Sequence, residues 1–311
     1  MNKKIISIAV VVLIAIVGSF AFTKLNNKKE DKPQGIKIAN ELGEVTVNKK
    51  PKNVVVFDYG VLDALNKMGV DVKAMPKSSL PSYLSKFKGS EYTDAGALFE
   101  PNFEKISELK PELIIIGGRQ KKLSEEFKKI APTILMNTED NDYIGSFSKN
   151  VKTLGEIFDK QDVVEKELKQ INDKIENLNK KVKESGKNAL VVMASDGALS
   201  AYGEGSRFGM IHKEFGVPAA DKKVESSNHG QKISFEYLVE KNPDNMLVID
   251  RTAIAGGKVS AKQALENDLV KTTKAYKENK ITYLTPEIWY ISTGGLEATN
   301  KMIDEIESAM K

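Results

Sequence analysis

Short, continuously apolar runs alternate with segments of helical character along the first half of the chain. Such runs occur at 53–57, 113–116 and 133–136. A helical pattern follows the first run and ends at Gly69, and helix-forming residues follow the second run through Ile130. Continuous apolar strands separated by helices are typical of parallel sheets that are covered on both faces. The pattern therefore predicts an α/β fold.

A different pattern occupies residues 162–185, a stretch of strong helix formers that contains neither Gly nor Pro. Its apolar residues recur at spacings of 3, 4, 3 and 4, at Leu168, Ile171, Ile175, Leu178 and Val182. This spacing predicts one helix of about 24 residues and roughly 36 Å. The stripe could form a coiled-coil dimer seam, or it could pack one long helix along two lobes. We favour the second interpretation because the stripe spans few heptads and α/β segments flank both of its ends.

The alternation of apolar runs and helical segments resumes after Gly186. Apolar runs occur at 189–193, 246–249 and 281–284, and a helical segment lies at 208–215. The second half of the chain therefore predicts an α/β unit of the same kind as the first.

The length of the chain agrees with two such units. At 311 residues the chain is too long for one ordinary core and long enough for two lobes of roughly 130 residues each. We predict an N-terminal α/β lobe at 36–160, an inter-lobe helix at 161–186 and a C-terminal α/β lobe at 187–311.

One block of sequence occurs twice, which indicates that the two lobes share one design. Residues 102–111 align without a gap on 234–243, and each block begins with a helix-capping residue and leads into an apolar run. The register extends to Arg119 and Arg251, each eight residues after the proline of its block. Each lobe thus has an arginine at the carboxyl end of an equivalent strand, where open α/β sheets bind ligands.

The N-terminal segment predicts export. Two lysines precede an apolar run at 5–22, which is the pattern of a secretory signal. The run is also nearly long enough to remain as a membrane anchor, so residues 1–22 are a signal peptide or an anchor. Residues 23–35 predict a flexible tether. Both alternatives place the protein outside the cytoplasm, in the periplasm or on the outer face of the cell membrane.

Composition excludes several classes of function. The 47 basic and 43 acidic residues are finely mixed, whereas a nucleic-acid-binding protein clusters its basic residues. With no cysteine and two histidines, the chain has no disulfide, no thiolate metal site, no lipid-acceptor cysteine and few partners for nucleophilic catalysis. The glycine motifs of nucleotide-binding and hydrolase folds are also missing. The sequence therefore predicts a protein that is not an enzyme.

These features together resemble the siderophore- and cobalamin-binding proteins of ABC importers, over about residues 36–310. The sequence motifs that resemble this family are Glu-Pro-Asn-Phe-Glu-Lys-Ile at 100–106, Leu-Lys-Pro-Glu-Leu-Ile at 109–114 and Lys-Asn-Pro-Asp at 241–244. The resemblance implies two Rossmann-like lobes with mostly parallel sheets, joined by one rigid helix. It also implies a monomer with no permanently bound cofactor, whose partners are the ABC permease subunits and their ATPase.

The resemblance is closest to the branch that binds ferric catecholate siderophores of the enterobactin and petrobactin type. The residues that match it are Arg119, Arg207, His229, Arg251 and Tyr290. Haem, cobalamin and hydroxamate siderophores remain alternative ligands, and a surface-anchored structural or enzymatic protein remains an alternative of another class. Relatives are commonly lipoproteins, and this chain has no cysteine to carry the lipid.

Arginine suits an anionic ferric catecholate because its guanidinium group does not lose its charge and presents a planar fork of donors. Arg119, Arg207 and Arg251 all follow predicted strands or lie in glycine-rich loops. Each of them could instead pair with a surface carboxylate. Three cleft arginines would favour anionic catecholates over neutral ferric hydroxamates.

His229 and Tyr290 are predicted to ligate Fe(III) directly when the siderophore offers only four donor oxygens. Imidazole and hard oxygen donors both suit iron. A lone loop histidine usually has no such role, and Tyr290 could simply fill the edge of a lobe. Trp289 adjoins Tyr290 and is predicted to line the same ligand site.

Glu104 and Glu236 occupy the same position in the two repeat blocks. A carboxylate early in a helix is stabilised by the helix dipole in any protein, so their position alone does not indicate a function. The resemblance implies that such a pair docks onto arginines of the two permease subunits.

Overall fold

The protein is described here from a computed structural model, which covers residues 35–311. The signal or anchor predicted at 1–22, and the tether predicted at 23–35 apart from its last residue, lie outside the described residues. Within 35–311, no helix combines the length and the apolar character needed to cross a membrane.

The described chain begins with a β-hairpin that the sequence analysis did not predict. Strand β1 (Ile36–Asn40) pairs antiparallel with β2 (Gly43–Val47). The Asn40 side chain closes the turn, since its Oδ1 accepts a hydrogen bond from the Leu42 amide at 3.0 Å. This hairpin precedes the first of two larger sheets.

The first half of the chain forms a five-stranded sheet in which every pairing is parallel. Its strands are β3 (Val55–Val56), β4 (Ala74–Met75), β5 (Thr93–Asp94), β6 (Ile114–Ile116) and β7 (Thr133–Leu135). They lie in the order β5-β4-β3-β6-β7. Ile115 packs in one apolar cluster, and Ile114 and Ile116 pack in another. Both faces of the sheet are therefore covered at its centre, which explains why the central strands β3 and β6 are continuously apolar.

Within the described residues, four α-helices belong to this first lobe. They are α1 (Tyr59–Lys67), α2 (Phe103–Glu108), α3 (Ser124–Lys128) and α4 (Tyr143–Phe158). Side chains cap three of them, since Asp58, Asn102 and Asp142 each accept a hydrogen bond from a backbone amide in the first turn. Such caps fix where each helix begins after its strand or loop.

A single helix, α5 (Gln161–Ser185), follows the first lobe and ends at Gly186, whose φ of 62° is left-handed. Its apolar stripe is buried within the chain, at Val164, Leu168, Ile171, Leu178 and Val182. A buried stripe of this kind is not available to a second copy as a coiled-coil seam. The helix joins the segments that form the two five-stranded sheets.

The second half of the chain forms the other five-stranded sheet, in the order β10-β9-β8-β11-β12. Its strands are β8 (Ala189–Ser195), β9 (Ala198–Tyr202), β10 (Gln231–Ile233), β11 (Asn245–Asp250) and β12 (Ile281–Leu284). Strands β8, β11 and β12 are parallel, whereas β9 and β10 are antiparallel to their neighbours. The predicted class, two α/β lobes with mostly parallel sheets joined by a long helix, is confirmed.

The second lobe differs from the first in its hairpin. Strands β8 and β9 are joined by Asp196 and Gly197, which both have positive φ, 49° and 86°, as tight hairpin turns require. The helices of this lobe are short. They are α6 (Met210–Lys213), α7 (Phe235–Lys241), α8 (Thr252–Ala255), α9 (Ala261–Leu265), α10 (Asp268–Thr272) and α11 (Lys274–Lys277).

After β12 the chain leaves the second lobe. A π-helix at Glu287–Ile291 leads to the last helix, α12 (Leu296–Ala309), which packs against α1 and α5. Its buried apolar face, including Met302 and Ile306, joins the same cluster as α1. The sequence analysis assigned all of 187–311 to the second lobe, and the structure corrects this for α12. We call residues 285–298, between β12 and the first turn of α12, the return segment.

Candidate functional site

Two of the predicted arginines occupy equivalent places in the two sheets. Arg119 follows β6 by three residues, in the short 3-10 helix Gly118–Leu123, and Arg251 directly follows β11. Strand β6 lies between β3 and β7, and β11 lies between β8 and β12. Both side chains are therefore carried just beyond the carboxyl end of the strand that lies beside the first strand of their five-stranded sheet.

All three predicted arginines converge on Tyr290 in the return segment. Arg119 Nη2 and Arg207 Nη2 donate hydrogen bonds to the Tyr290 carbonyl oxygen at 2.7 Å and 2.6 Å. Arg251 Nε donates to the Tyr290 hydroxyl at 2.9 Å, and its Nη1 donates to Ser195 Oγ at 2.9 Å. The guanidinium carbons of Arg119, Arg207 and Arg251 lie 6.0, 4.4 and 5.8 Å from the centre of the Tyr290 ring. We call these three residues the arginine triad.

The composition of the chain makes the triad distinctive. Of the 47 Lys and Arg residues in the sequence, only these three are Arg. Every other basic position uses Lys, whose ammonium group is a compact point charge rather than a planar fork. Arginine is therefore used only where the fold brings three side chains to one place.

Among the described residues the triad has no close counter-charge, although Asp58 lies near enough to Arg119 for their charges to interact. In the part of the chain that the structure describes, none of the three guanidinium groups lies within 4.0 Å of a carboxylate. Burial lowers the pKa of Arg207, and the positive charge of Arg119 lowers it further. Partly buried positive charge without a salt-bridge partner is costly, so this arrangement favours an anionic ligand.

The triad also changes the acidity of the Tyr290 phenol. Burial alone would raise its pKa, but the hydrogen bond from Arg251 and the charges of all three arginines lower the pKa below its usual value of 10. Arg207, Arg251 and Arg119 all stabilise the phenolate by opposite charge. The triad thus makes the phenolate form of Tyr290 easier to reach than that of an isolated tyrosine.

The structure corrects the prediction for Trp289. Its side chain is 0% exposed, and its indole Nε1 donates a hydrogen bond to the Glu305 carboxylate of α12 at 2.8 Å. Trp289 and Tyr290 are neighbours in the π-helix, and only Tyr290 is partly exposed. Trp289 therefore anchors the return segment to α12 and does not contact a ligand in this conformation.

A cavity of about 850 Å³ adjoins the triad, within the range of small-molecule sites. Arg119, Arg207 and the exposed His229 line this cavity, whereas Arg251 and Tyr290 do not. The structure therefore brings the three arginines together, but it does not place the two predicted iron ligands on one surface. Among residues 35–311, no three His, Asp or Glu side chains are grouped closely enough to hold a metal ion.

Sequence analysis missed most of the polar lining on the first-lobe side of the cavity. This lining is a continuous run that begins one residue beyond the end of β7, after Met136, and is made of Asn137, Thr138, Glu139, Asp140 and Asn141. The carboxyl-end rule that located Arg119 applies equally to the apolar run at 133–136 and would have found it. Asp58, which follows β3, also lines the cavity, and burial raises its pKa although the Val61 amide donates to it at 3.0 Å.

Glu104 and Glu236 lie in the first turns of α2 and α7, and both side chains are exposed. Neither forms a salt bridge with any residue in the described range. Hydrogen bonds from its own backbone amide and from the Ser234 hydroxyl lower the pKa of Glu236. Both glutamates are therefore available to a cationic partner.

The loop that precedes Glu104 is attached to the turn that carries Arg119. Gln120 is fully buried, and its Nε2 donates to the Leu98 carbonyl at 2.7 Å while its Oε1 accepts from the Gly117 amide at 3.1 Å. The next residue of the loop, Phe99, is 70% exposed. We call this pair of hydrogen bonds the Gln120 tie.

Comparison with known proteins places this geometry among binding proteins. Residues 54–288 match the sequence model of the family described as periplasmic binding protein. The chain is 43% identical to the petrobactin-binding protein YclQ of Bacillus subtilis, with 99% of each chain covered. It is 33% identical to the ferric-anguibactin-binding protein FatB of Vibrio anguillarum, covering 87% of this chain and 86% of that one.

A solved structure agrees with the sequence relatives. The periplasmic catecholate-siderophore binding protein VctP from Vibrio cholerae superposes with a TM-score of 0.82 at 38% identity, covering 88% of this chain and 99% of VctP.

Proposed function

The chain belongs to the periplasmic binding protein family, and from this premise we propose that it is the extracytoplasmic solute-binding protein of an ABC importer. Its cargo is a ferric siderophore of the catecholate type, held between the two lobes. The observation that carries the proposal is the arginine triad, which gathers every arginine of the chain around Tyr290 without a carboxylate partner in the described residues.

The chemistry of the triad fits this cargo. Ferric catecholates are anionic, and guanidinium groups bind anionic oxygens through short, charge-assisted hydrogen bonds. Arg119 and Arg207 now donate to the neutral carbonyl of Tyr290. Anionic catecholate oxygens are stronger acceptors for the same donors, so a ligand can replace this carbonyl with a gain in free energy. The relatives named for petrobactin, anguibactin and catecholate siderophores support the same assignment.

A fluorescence titration against a panel of ferric catecholates, ferric hydroxamates and haem tests the cargo class. Trp289 is the only tryptophan of the chain, and energy transfer to a bound iron chelate would quench it even though it is buried. We expect saturable quenching that is strongest for ferric catecholates. Tighter binding of a hydroxamate or of haem would overturn the catecholate assignment, and no saturable binding at all would favour a structural surface protein.

The proposal includes the partners and the location. Glu104 and Glu236 dock the two lobes onto basic residues of the permease subunits, whose ATPase drives import. Their exposure, their matching repeat positions and their freedom from salt bridges among residues 35–311 support this role. The protein acts as a monomer outside the cytoplasm, and residues 1–22 export it or hold it at the membrane. It binds and delivers its ligand without catalysing a reaction.

A further inference from the structure

We propose that Asp63 is a positioning residue for the ligand site, because it fastens the return segment to the first lobe and thereby holds Tyr290 against the arginine triad. The inference deepens the proposed function and rests on it for the identity of the ligand. It assigns a role to a buried carboxylate that touches neither the cavity nor the triad.

Asp63 lies on α1 and is 1% exposed. Its Oδ1 accepts a hydrogen bond from the Glu297 amide at 2.9 Å, and its Oδ2 accepts from the Ala298 amide at 2.8 Å. These are among the first amides of α12, which have no partner within the helix. The Tyr83 hydroxyl donates to Oδ2 as well, at 3.0 Å. Asp63 thus caps the N-terminus of α12 from another element.

The residue that would ordinarily cap α12 cannot do so. The N-cap position is Gly295, which has no side chain to accept these amides. A Cβ at Gly295 would lie 2.2 Å from Asp63 Oδ2, so the glycine makes room for the carboxylate. The cap has therefore been transferred from the helix to α1, and it becomes a tertiary contact that locates the helix.

Other first-lobe residues hold the same part of the return segment. A Cβ at Gly60 of α1 would lie 2.3 Å from the Thr293 carbonyl oxygen, and the Tyr143 hydroxyl accepts a hydrogen bond from the Gly294 amide at 3.1 Å. Thus residues 293–298 are fixed to the first lobe, although β12 belongs to the sheet of the second.

Tyr290 lies close to this fixed part, and hydrogen bonds connect the two. Ser292 is fully buried, its Oγ donates to the Glu287 carbonyl at 2.8 Å, and its carbonyl accepts from the Gly295 amide at 3.2 Å. The carbonyl and phenol of Tyr290 are the acceptors for the triad. Arg207 and Arg251 come from the second lobe. Asp63, in the first lobe, therefore helps to set the position of Tyr290 relative to these two arginines.

The test uses hydrogen exchange of the return-segment amides as its readout, measured by mass spectrometry of the whole protein without ligand. Asp63→Asn keeps the size of the side chain but turns one acceptor into a donor facing an amide. We expect amide exchange across residues 285–298 to become about tenfold faster and the affinity for a ferric catecholate to fall about tenfold, the scale of one lost helix cap.

Two further variants separate positioning from general destabilisation. Ser260→Ala removes the N-cap of α9 in the second lobe, and it should lower stability while leaving both readouts unchanged. Tyr83→Phe removes one hydrogen-bond donor to Asp63. It should change both readouts in the same direction as Asp63→Asn, but by a smaller amount. If Asp63→Asn does not fold, Tyr83→Phe serves as the test. Unchanged exchange of these amides in a folded Asp63→Asn, or in Tyr83→Phe if that variant alone folds, would overturn the inference. Because exchange is measured without ligand, this result is independent of whether the protein binds ferric catecholates.

Discussion

Three guanidinium groups held around one tyrosine repel one another, and no carboxylate within residues 35–311 forms a salt bridge with any of them. A fold retains such a cluster only if something else compensates for it. The Tyr290 carbonyl and phenol compensate in part, since they accept three of the hydrogen bonds. At the scale of the residue, the site is therefore a set of donors arranged for an anion.

Replacing one member of the triad should weaken binding without unfolding the protein. Arg251→Ala should cost about 1.5–3 kcal/mol of binding free energy, the range for a hydrogen bond to a charged group, or about tenfold to a hundredfold in affinity. Arg251→Lys is the matched control, because it keeps the charge but loses the fork of donors to Tyr290 and Ser195. Its affinity for the ligand should lie between those of the wild type and Arg251→Ala. Titration with a ferric catecholate measures all three proteins. Wild-type affinity in single Ala variants of all three arginines would rule out the charged pocket.

Direct iron ligation by Tyr290 and His229 depends on how many donors the siderophore supplies. A tetradentate bis-catecholate leaves two iron positions open, so Tyr290→Phe and His229→Ala should each weaken its binding and change its charge-transfer spectrum. A hexadentate tris-catecholate should be almost unaffected. Ligation needs a phenolate and a neutral imidazole. Because acid protonates both donors, wild-type affinity for the tetradentate ligand should fall as the pH drops.

The two ligand types act as controls for each other in this experiment. Equal losses for both ligands, or no loss with an unaltered spectrum, would show that Tyr290 and His229 only line the cleft. The two variants need separate titrations, because only His229 lines the cavity in this structure. Ligation by both residues at once requires Tyr290 to leave its hydrogen bond with Arg251.

Sequence could locate the arginines but not the orientation of their acceptor. Arg119 and Arg251 follow apolar strands, and strand ends are fixed by a pattern that is local in the sequence. Whether Trp289 or its neighbour faces the cleft depends on the π-helix at Glu287–Ile291 and on a partner, Glu305, in another helix. Neither the π-helix nor the contact with Glu305 leaves a periodic signal in the residues around Trp289. The sequence therefore could not show that Trp289 is buried rather than exposed to the ligand site.

At the scale of the element, the pattern of apolar residues decided most of the architecture. Each continuous run contains a strand, and these strands are mostly buried on both faces, although β12 exposes Tyr283. The stripe at spacings of three and four became α5. The pattern did not reveal that β8 and β9 form a hairpin, because the run at 189–193 is equally apolar in a parallel or an antiparallel sheet. The signal that distinguishes them is the pair Asp196-Gly197, which favours a tight turn.

The C-terminal end of α5 allows a direct test of helix termination. Gly186 has a φ of 62°, and a Cβ placed there would have no atom within 4 Å. Gly186→Ala should therefore lower the free energy of unfolding by about 1 kcal/mol through backbone strain alone. Lys183→Ala, on the same helix, replaces one strong helix former by another. It should change the free energy of unfolding by less than about 0.5 kcal/mol. Urea unfolding measures both variants, and equal midpoints for Gly186→Ala and wild type would contradict the strain.

At the scale of the whole molecule, two connections pass between the lobes. One is α5, which the spacing of its apolar residues predicts from the sequence. The other is the return segment, through which the chain leaves β12 and packs α12 against α1. The sequence could not show this second connection, because an amphipathic helix records that one face is buried but not which lobe buries it.

Docking onto a permease should depend on both lobes together. Reversing both glutamates, Glu104→Lys with Glu236→Lys, should leave the affinity for a ferric catecholate unchanged and abolish its uptake by cells, because the partner is expected to present positive charge. The repeat supplies a matched control one helical turn away, Glu108→Lys with Glu240→Lys, which are also exposed and should leave uptake intact. Lost ligand binding in the first pair, or equal loss of uptake in both pairs, would contradict the docking role.

The Gln120 tie places the Arg119 turn and the loop leading to Glu104 in one hydrogen-bonded unit. Ligand and permease, bound at these two places, would act on a single free-energy surface, and the coupling between them would have to be reciprocal. If docking onto the permease lowers the affinity for the ligand by some factor, bound ligand lowers the affinity for the permease by the same factor. This one coupling factor can be obtained from ligand-binding curves measured with and without the permease.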